Sequence, residues 1–65
     1  MLLGNIIRNR RLAAKMTLDT LAKAIESDAG NLSRIERGEM GISEVQIRKV
    51  ASALNTTPAS LFTES

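Results

Sequence analysis

The chain has 65 residues, a hydrophobic fraction of 43% and a formal net charge of +2, which indicates one small globular domain with a thin core. Cysteine and histidine are both absent, which excludes disulfides, most zinc sites and histidine-based catalysis, so we expect no metal, no cofactor and no enzymatic activity. No apolar run approaches the roughly 20 residues of a membrane-spanning helix, and the start Met-Leu-Leu-Gly lacks the apolar segment of a signal peptide, so we expect a cytoplasmic protein.

Hydrophobic periodicity and capping residues predict five short helices. The first runs from about Gly4 to Ala14. Its apolar side is formed by Leu3, Ile6, Ile7 and Ala14. Arg10 falls on the same side and is expected to reach solvent along its aliphatic stem. No acidic residue precedes Asp19, so the cations up to Lys15 concentrate positive charge in this part of the chain.

The second helix is predicted to begin at Thr17, a residue type that is favoured as an N-cap. Its apolar stripe has the spacing i, i+3, i+4, i+7 that is typical of one helix face. The stripe consists of Leu18, Leu21, Ala22 and Ile25. Met16, which precedes the cap, is expected to pack against Leu21 as a hydrophobic staple.

The third helix is predicted between an N-cap at Asp28 and a terminating Gly38, with Leu32 and Ile35 as its apolar anchors. The opposite face carries polar and small residues, because successive residues of a helix lie about 100° apart. They are Gly30, Ser33, Arg34 and Arg37, with Asn31 at the edge. Two short helices joined by a tight turn, the second with a basic stripe, form the arrangement that places one helix in the DNA major groove.

The fourth helix is predicted to follow Ser43, which forms a capping box with Gln46, and to end at Asn55 in a left-handed conformation. Its apolar stripe consists of Ile47, Val50, Ala51 and Leu54. The fifth helix is about one turn long, with Thr57 as its cap and Pro58 in the first helical position. Leu61 and Phe62 are both expected to pack into the core.

These boundaries and side chains together make the chain resemble the lambda repressor and Cro-like helix-turn-helix family, also called the xenobiotic-response-element type. The residues that carry the resemblance are Ile7, Arg8, Arg11, Thr17, Leu21, Ala22, Leu32, Ser33, Ile35, Glu36, Gly38, Ser43, Val50, Ala51, Ala53, Leu54, Leu61 and Phe62. The resemblance implies an all-α fold of five short helices, with the helix-turn-helix formed by the second and third. We expect a single domain over residues 1–65, either complete or the N-terminal domain of a longer repressor.

The chain departs from this family at several positions. Lys15 and Glu26 stand where the family commonly has glycine in a turn with positive φ. Leu18 replaces a frequent glutamine that braces the third helix and touches phosphate, so only its backbone N–H is left for that contact. The loop of residues 39–42 is acidic and apolar where many relatives are basic.

Five residues of the third helix are candidates for contacts with DNA bases. The planar fork of Arg34 matches O6 and N7 of guanine, which makes it the leading candidate. Asn31 can pair with adenine, and Ser33 can hydrogen-bond a base or a phosphate. Gly30 would let the helix start approach the groove floor, and Ala29 could touch a thymine methyl group. The alternatives are solvated surface for Arg34 and Ser33, capping for Asn31 and a neutral position for Gly30.

Contacts with DNA phosphates are expected from six residues, which would position the domain without reading sequence. They are Arg11, Thr17, Leu18, Lys23, Arg37 and Ser43. Thr17, Leu18 and Ser43 lie at helix starts, where free N–H groups attract anions. The alternative for Lys23 is a solubilising surface charge.

The resemblance also implies an ion pair between Arg11 and Glu36, which would tie the first helix to the end of the third. If this pair is buried, removing one partner would cost about 3–5 kcal/mol and would let the third helix tilt. The alternative is an exposed pair worth about 0–1 kcal/mol.

The function implied by the resemblance is sequence-specific regulation of transcription, by a phage or prophage-type repressor or a Cro-like protein. Its partner would be double-stranded DNA, bound by a homodimer at a palindromic operator, so the protein would associate with the nucleoid when bound. The apolar candidates for a dimer contact are Met40, Ile42, Val45, Leu61 and Phe62. The alternative is an antitoxin or accessory module of the same fold whose main partner is another protein.

Overall fold

The computed structural model describes residues 3–63, which form the five predicted helices. Their bounds are α1 Leu3–Ala13, α2 Leu18–Ala24, α3 Ala29–Glu36, α4 Glu44–Ala53 and α5 Pro58–Thr63. No strand occurs in this part of the chain, so the fold is all-α. None of the five helices is both long and apolar enough to cross a membrane.

The predicted N-caps are confirmed by hydrogen bonds from backbone amides. In each, a side-chain oxygen accepts from the backbone N–H three residues later, at 2.7–3.2 Å. The acceptors are Thr17, Asp28, Ser43 and Thr57. At the start of α4 the bond is reciprocal, because Gln46 Oε1 accepts from the Ser43 amide at 3.3 Å, which completes the capping box. Each cap satisfies an amide that has no partner inside its helix.

Helices α1 to α4 all end in a Schellman motif, in which a residue with positive φ follows the last turn. These residues are Lys15, Glu26, Gly38 and Asn55, with φ of 58°, 57°, 79° and 55°. In each motif the next amide donates to a carbonyl five residues earlier, at 2.8–3.0 Å. The left-handed conformation predicted for Asn55 is confirmed, and three of the four positions hold a side chain where glycine would be unstrained.

The core lies where α3 packs against both α1 and α2, with α4 and α5 closing it. Its buried apolar residues are Ile6, Ile7, Leu21, Ala22, Ile25, Leu32, Ile35, Val50, Ala51 and Leu61. Met16 and Leu18 pack against it from the edge. Two expectations were wrong. Ala14 is exposed, because it lies in the turn after α1, and Phe62 is 61% exposed although its neighbour Leu61 is fully buried. Adjacent helix residues point about 100° apart, so the short α5 buries only one of them.

The backbone of α1 approaches the last turn of α3 directly. A Cβ added at Gly4 would lie 2.2 Å from the carbonyl oxygen of Ile35 and 2.7 Å from that of Glu36. Both distances are shorter than van der Waals contact, and the atoms are backbone rather than flexible side chain. Any larger residue at position 4 would therefore have to separate the two helices.

Candidate nucleic-acid interface

Helix α3 buries one side and exposes the other. Leu32 and Ile35 face the core, with Leu32 fully buried. The opposite side is formed by Gly30, Ser33, Arg34 and Arg37, with Ala29 and Asn31 at its edges. We call these six residues the α3 face; they include all five candidates for base contact. Gly30, Arg34 and Arg37 are exposed, and the other three are half-buried.

Arg34 is an exposed cation in the last turn of α3. Within residues 3–62 its side chain forms no ion pair, whereas Arg37, three residues later, is paired with an acid. A guanidinium group without a protein partner keeps all its N–H donors for a ligand, and its fork geometry suits the two acceptors of a guanine edge. The structure thus places the leading candidate for base contact in an accessible and uncommitted position.

The start of the α3 face is organised by Asp28. One carboxylate oxygen accepts from the Asn31 backbone amide at 2.7 Å, and the other accepts from Asn31 Nδ2 at 3.2 Å. If the Asn31 side chain paired with adenine, Nδ2 would therefore have to donate both to the base and to Asp28. A Cβ at Gly30 would lie 3.3 Å from the Asp28 carboxylate, which is tight. A side chain at position 30 would therefore require the Asp28 carboxylate to shift by a few tenths of an ångström.

The end of α3 is held by the ion pair between Arg11 and Glu36. Arg11 Nε donates to Glu36 Oε2 at 2.8 Å and Nη2 donates to Oε1 at 3.1 Å, a two-point contact. The third nitrogen, Nη1, donates to the Met16 carbonyl at 2.9 Å. The two charged residues are only 7% and 4% exposed. Arg11 thus joins α1, the following turn and α3, and the structure does not bring its guanidinium to the α3 face.

Two other predicted phosphate contacts, Lys23 and Arg37, are exposed and already paired with acids. Lys23 Nζ lies 3.1 Å from Asp19 Oδ2 within α2. Arg37 Nε lies 3.1 Å from Glu39 Oε2, just after α3. Exposed pairs of this kind are weak, so both cations remain able to exchange their partners.

The remaining phosphate candidates lie at helix starts. The Thr17 hydroxyl caps α2 and lies 2.9 Å from the Thr20 hydroxyl, whereas Leu18 is half-buried and packs against the core. Only the backbone of Leu18 is therefore suited to an anion. Ser43 is exposed, but its hydroxyl is engaged in the capping box of α4.

Sequence reasoning missed an ion pair that joins the turn between α2 and α3 to α4. The Glu26 carboxylate accepts a hydrogen bond from Lys49 Nζ. This hydrogen bond and the positive charge of Lys49 hold the pKa of Glu26 below its ordinary value. The partners are 23 positions apart and belong to different elements, so no local spacing rule could have paired them. The pair between Arg37 and Glu39 was missed as well, although their proximity in sequence offered a signal.

Comparisons with known proteins support a helix-turn-helix fold for this chain. A family model described as helix-turn-helix matches residues 7–61, which is most of the chain. A comparison of the sequence with curated proteins found no match.

Three solved structures are similar over nearly the whole chain. The clp gene regulator ClgR from Corynebacterium glutamicum is 34% identical, with a TM-score of 0.92 over 95% of this chain and 66% of its own. The restriction-modification controller protein C.AhdI from Aeromonas hydrophila is 35% identical, with a TM-score of 0.87 over 92% and 91%. The DNA-binding domain of the P22 C2 repressor is 26% identical, with a TM-score of 0.92 over 98% and 84%. The predicted lambda repressor-like fold is confirmed by these similarities.

Proposed function

We propose that this chain, which belongs to the helix-turn-helix family, regulates transcription by binding double-stranded DNA with α3 in the major groove. The observation that carries the proposal is the contrast between the two sides of α3. One side is anchored in the core by Leu32 and Ile35, and the other presents Arg34 without a protein partner among the described residues. The similarity to a repressor domain, a gene regulator and a controller protein supports this role over an enzymatic one.

The roles that we propose for the individual residues follow from their charge and accessibility. Arg34 reads a guanine, and the smaller residues of the α3 face complete the contacts with neighbouring bases. Lys23 and Arg37 meet phosphates on either side of the groove once their acidic partners are displaced. Arg11 acts indirectly, by fixing the end of α3 against α1. Arg11 was predicted to contact phosphate as well, and we now propose that it only orients α3.

One α3 face reads only a few base pairs, so we propose that two copies bind a palindromic operator with half-sites about 34 Å apart. The protein would then act as a phage-type repressor or a Cro-like regulator, located in the cytoplasm and on the nucleoid. Met40, Val45 and Phe62 are the exposed apolar residues among the predicted dimer contacts. Leu61, fully buried in its own core, is unsuited to that contact.

Selection of bound duplexes from a random pool tests the proposal and identifies the operator. Arg34→Ala is then compared with wild type on the operator and on random DNA. Loss of a two-point guanine contact is expected to weaken operator binding about tenfold or more, while binding to random DNA changes only a few-fold.

Arg8→Ala is the matched control, since Arg8 is an exposed arginine of α1 outside the α3 face. It removes the same charge, so it should affect both DNAs slightly and equally. Equal losses on both duplexes in the Arg34 variant would contradict base reading by Arg34.

A second candidate function is an antitoxin or accessory module that binds another protein. The observation in its favour is the exposure of Val45 and Phe62, at 59% and 61%. Salt-dependent binding to duplex DNA with a footprint of two half-sites would favour the regulator, because a module that binds only protein would give neither result.

A further inference from the structure

Glu39 occupies a fixed position beside the α3 face. It follows Gly38 in the Schellman motif of α3, and its backbone amide donates to the Arg34 carbonyl at 2.9 Å. The Gly38 amide donates to the Ile35 carbonyl at 3.1 Å in the same motif. These two bonds hold the backbone of Glu39 against the last turn of the proposed reading helix. The position of this acid is therefore set by the helix end itself.

The carboxylate of Glu39 pairs with one of the two exposed arginines at this end of α3. Arg37 Nε lies 3.1 Å from Glu39 Oε2, and both side chains are 58% exposed. Arg34 forms no ion pair within residues 3–62. The acid is thus directed to the arginine proposed to touch phosphate and not to the one proposed to read a base.

Helix stability does not account for an acid at this position. The C-terminal end of a helix carries a partial negative charge, which disfavours a carboxylate. Asp19 and Glu44 differ in this respect, because they lie in the first turns of α2 and α4, where a carboxylate is favoured, and pair with a cation four residues later. Among the residues that the structure describes, Arg37 is the ion-pair partner that offsets this unfavourable position of Glu39.

We infer that Glu39 sets the DNA affinity of this protein by competing with phosphate for Arg37. The inference rests on the proposed function and deepens it. When Arg37 meets a phosphate, Glu39 loses its partner and is left near the DNA backbone, where it repels phosphate and attracts a cation. Binding to every duplex is weakened, and the number of cations released on binding is reduced. Arg34 is untouched by this competition.

The experiment measures affinity for a random-sequence duplex between about 50 and 300 mM salt for wild type, Glu39→Gln and Glu26→Gln. Glu39→Gln is expected to bind about threefold to tenfold more tightly at low salt, with a salt slope steeper by about one unit. Glu26→Gln is the matched control. It removes the same charge from a Schellman motif, but its carboxylate pairs with Lys49 of α4 and not with a residue of the α3 face. It should change the affinity less than twofold.

A second pair of variants tests whether the effect passes through Arg37. In an Arg37→Gln background, the additional change Glu39→Gln should have little effect, because the competed cation is gone. Thermal unfolding followed by circular dichroism checks that every variant is folded.

The outcomes separate this inference from the proposed function. If wild type binds DNA and Glu39→Gln binds no more tightly, the inference is overturned and the proposed function stands. An equal gain in the Arg37→Gln background, or from Glu26→Gln, would also overturn it, because Glu39 would then act only through net charge. If wild type binds no duplex even at low salt, the proposed function fails and the inference falls with it.

Discussion

The two ends of α3 are held by different kinds of contact. At its start, Asp28 caps the helix through bonds to a residue three positions away, all of them exposed. At its end, Arg11 and Glu36 are 25 positions apart and buried, and Gly4 brings the α1 backbone against the last turn. The start of α3 is thus fixed locally and its end by tertiary structure. Because Arg34 lies near the end, its placement depends on the integrity of the whole domain.

Breaking the buried ion pair at the end of α3 should lower the free energy of unfolding more than any change at the start of the helix. Glu36→Ala leaves Arg11 charged and buried without its carboxylate, which is expected to cost about 3–5 kcal/mol of the free energy of unfolding. At about 0.05–0.15 kcal/mol per residue, a domain of 65 residues has roughly 3–10 kcal/mol in all, so the variant should be only marginally stable in urea titrations. Replacing both partners by apolar residues, as in Arg11→Met with Glu36→Leu, should recover part of the loss. A loss below about 1 kcal/mol for Glu36→Ala would mean that the pair is solvated.

Gly4→Ala tests the close approach of the α1 backbone to α3, and the loss of stability should be intermediate. The added Cβ would overlap the Ile35 carbonyl, so the helices must separate, at a cost typical of overpacking, about 1–3 kcal/mol. Gly41→Ala is the control, since a Cβ there meets nothing within 4 Å. Urea denaturation should place Gly41→Ala within about 0.5 kcal/mol of wild type. Equal stability of the two variants would contradict the close packing.

Asp28→Ala should lower the free energy of unfolding least of these variants, and its local effect should be confined to the start of α3. Loss of an N-cap side chain costs about 1 kcal/mol. The Asn31 amide, which the cap binds, should exchange its hydrogen faster, while the Glu39 amide at the other end of α3 should change only with global stability. Thr57→Ala removes the cap of α5 and should leave the Asn31 amide protected. Equally faster exchange at both ends of α3 would show that the ends are not held separately.

The difference between the two ends of α3 also explains what the sequence could predict. The cap at Asp28 and the stop at Gly38 depend on residues a few positions apart, so local rules located both. The close contact at Gly4 has no local signature, because its partners lie more than 30 positions away. The ion pair between Arg11 and Glu36 was anticipated only through resemblance to a family, which supplies tertiary information that spacing lacks.

Most of the core was predictable in the helices that are long enough to define an apolar stripe. Leu21 and Ile25 belong to the stripe predicted for α2 and Val50 to the stripe predicted for α4, and all three are buried as expected. In α5, a single turn gives no repeat, so Leu61 and Phe62 could not be told apart, and the prediction for Phe62 was wrong. The roles assigned to the α3 face stay predictions, because base contacts depend on a partner whose sequence the chain does not encode.

The Schellman motifs give the domain three positions where a side chain replaces glycine at a modest cost in the free energy of unfolding. A side chain in a left-handed conformation costs roughly 1 kcal/mol in the folded protein, and the lower backbone entropy of the unfolded chain relative to glycine offsets only part of this cost. A folded domain can absorb a cost of this size, so Lys15, Glu26 and Asn55 are tolerated where glycine would be unstrained. Helix ends are therefore sites at which the surface of such a small domain can diverge while its framework is unchanged.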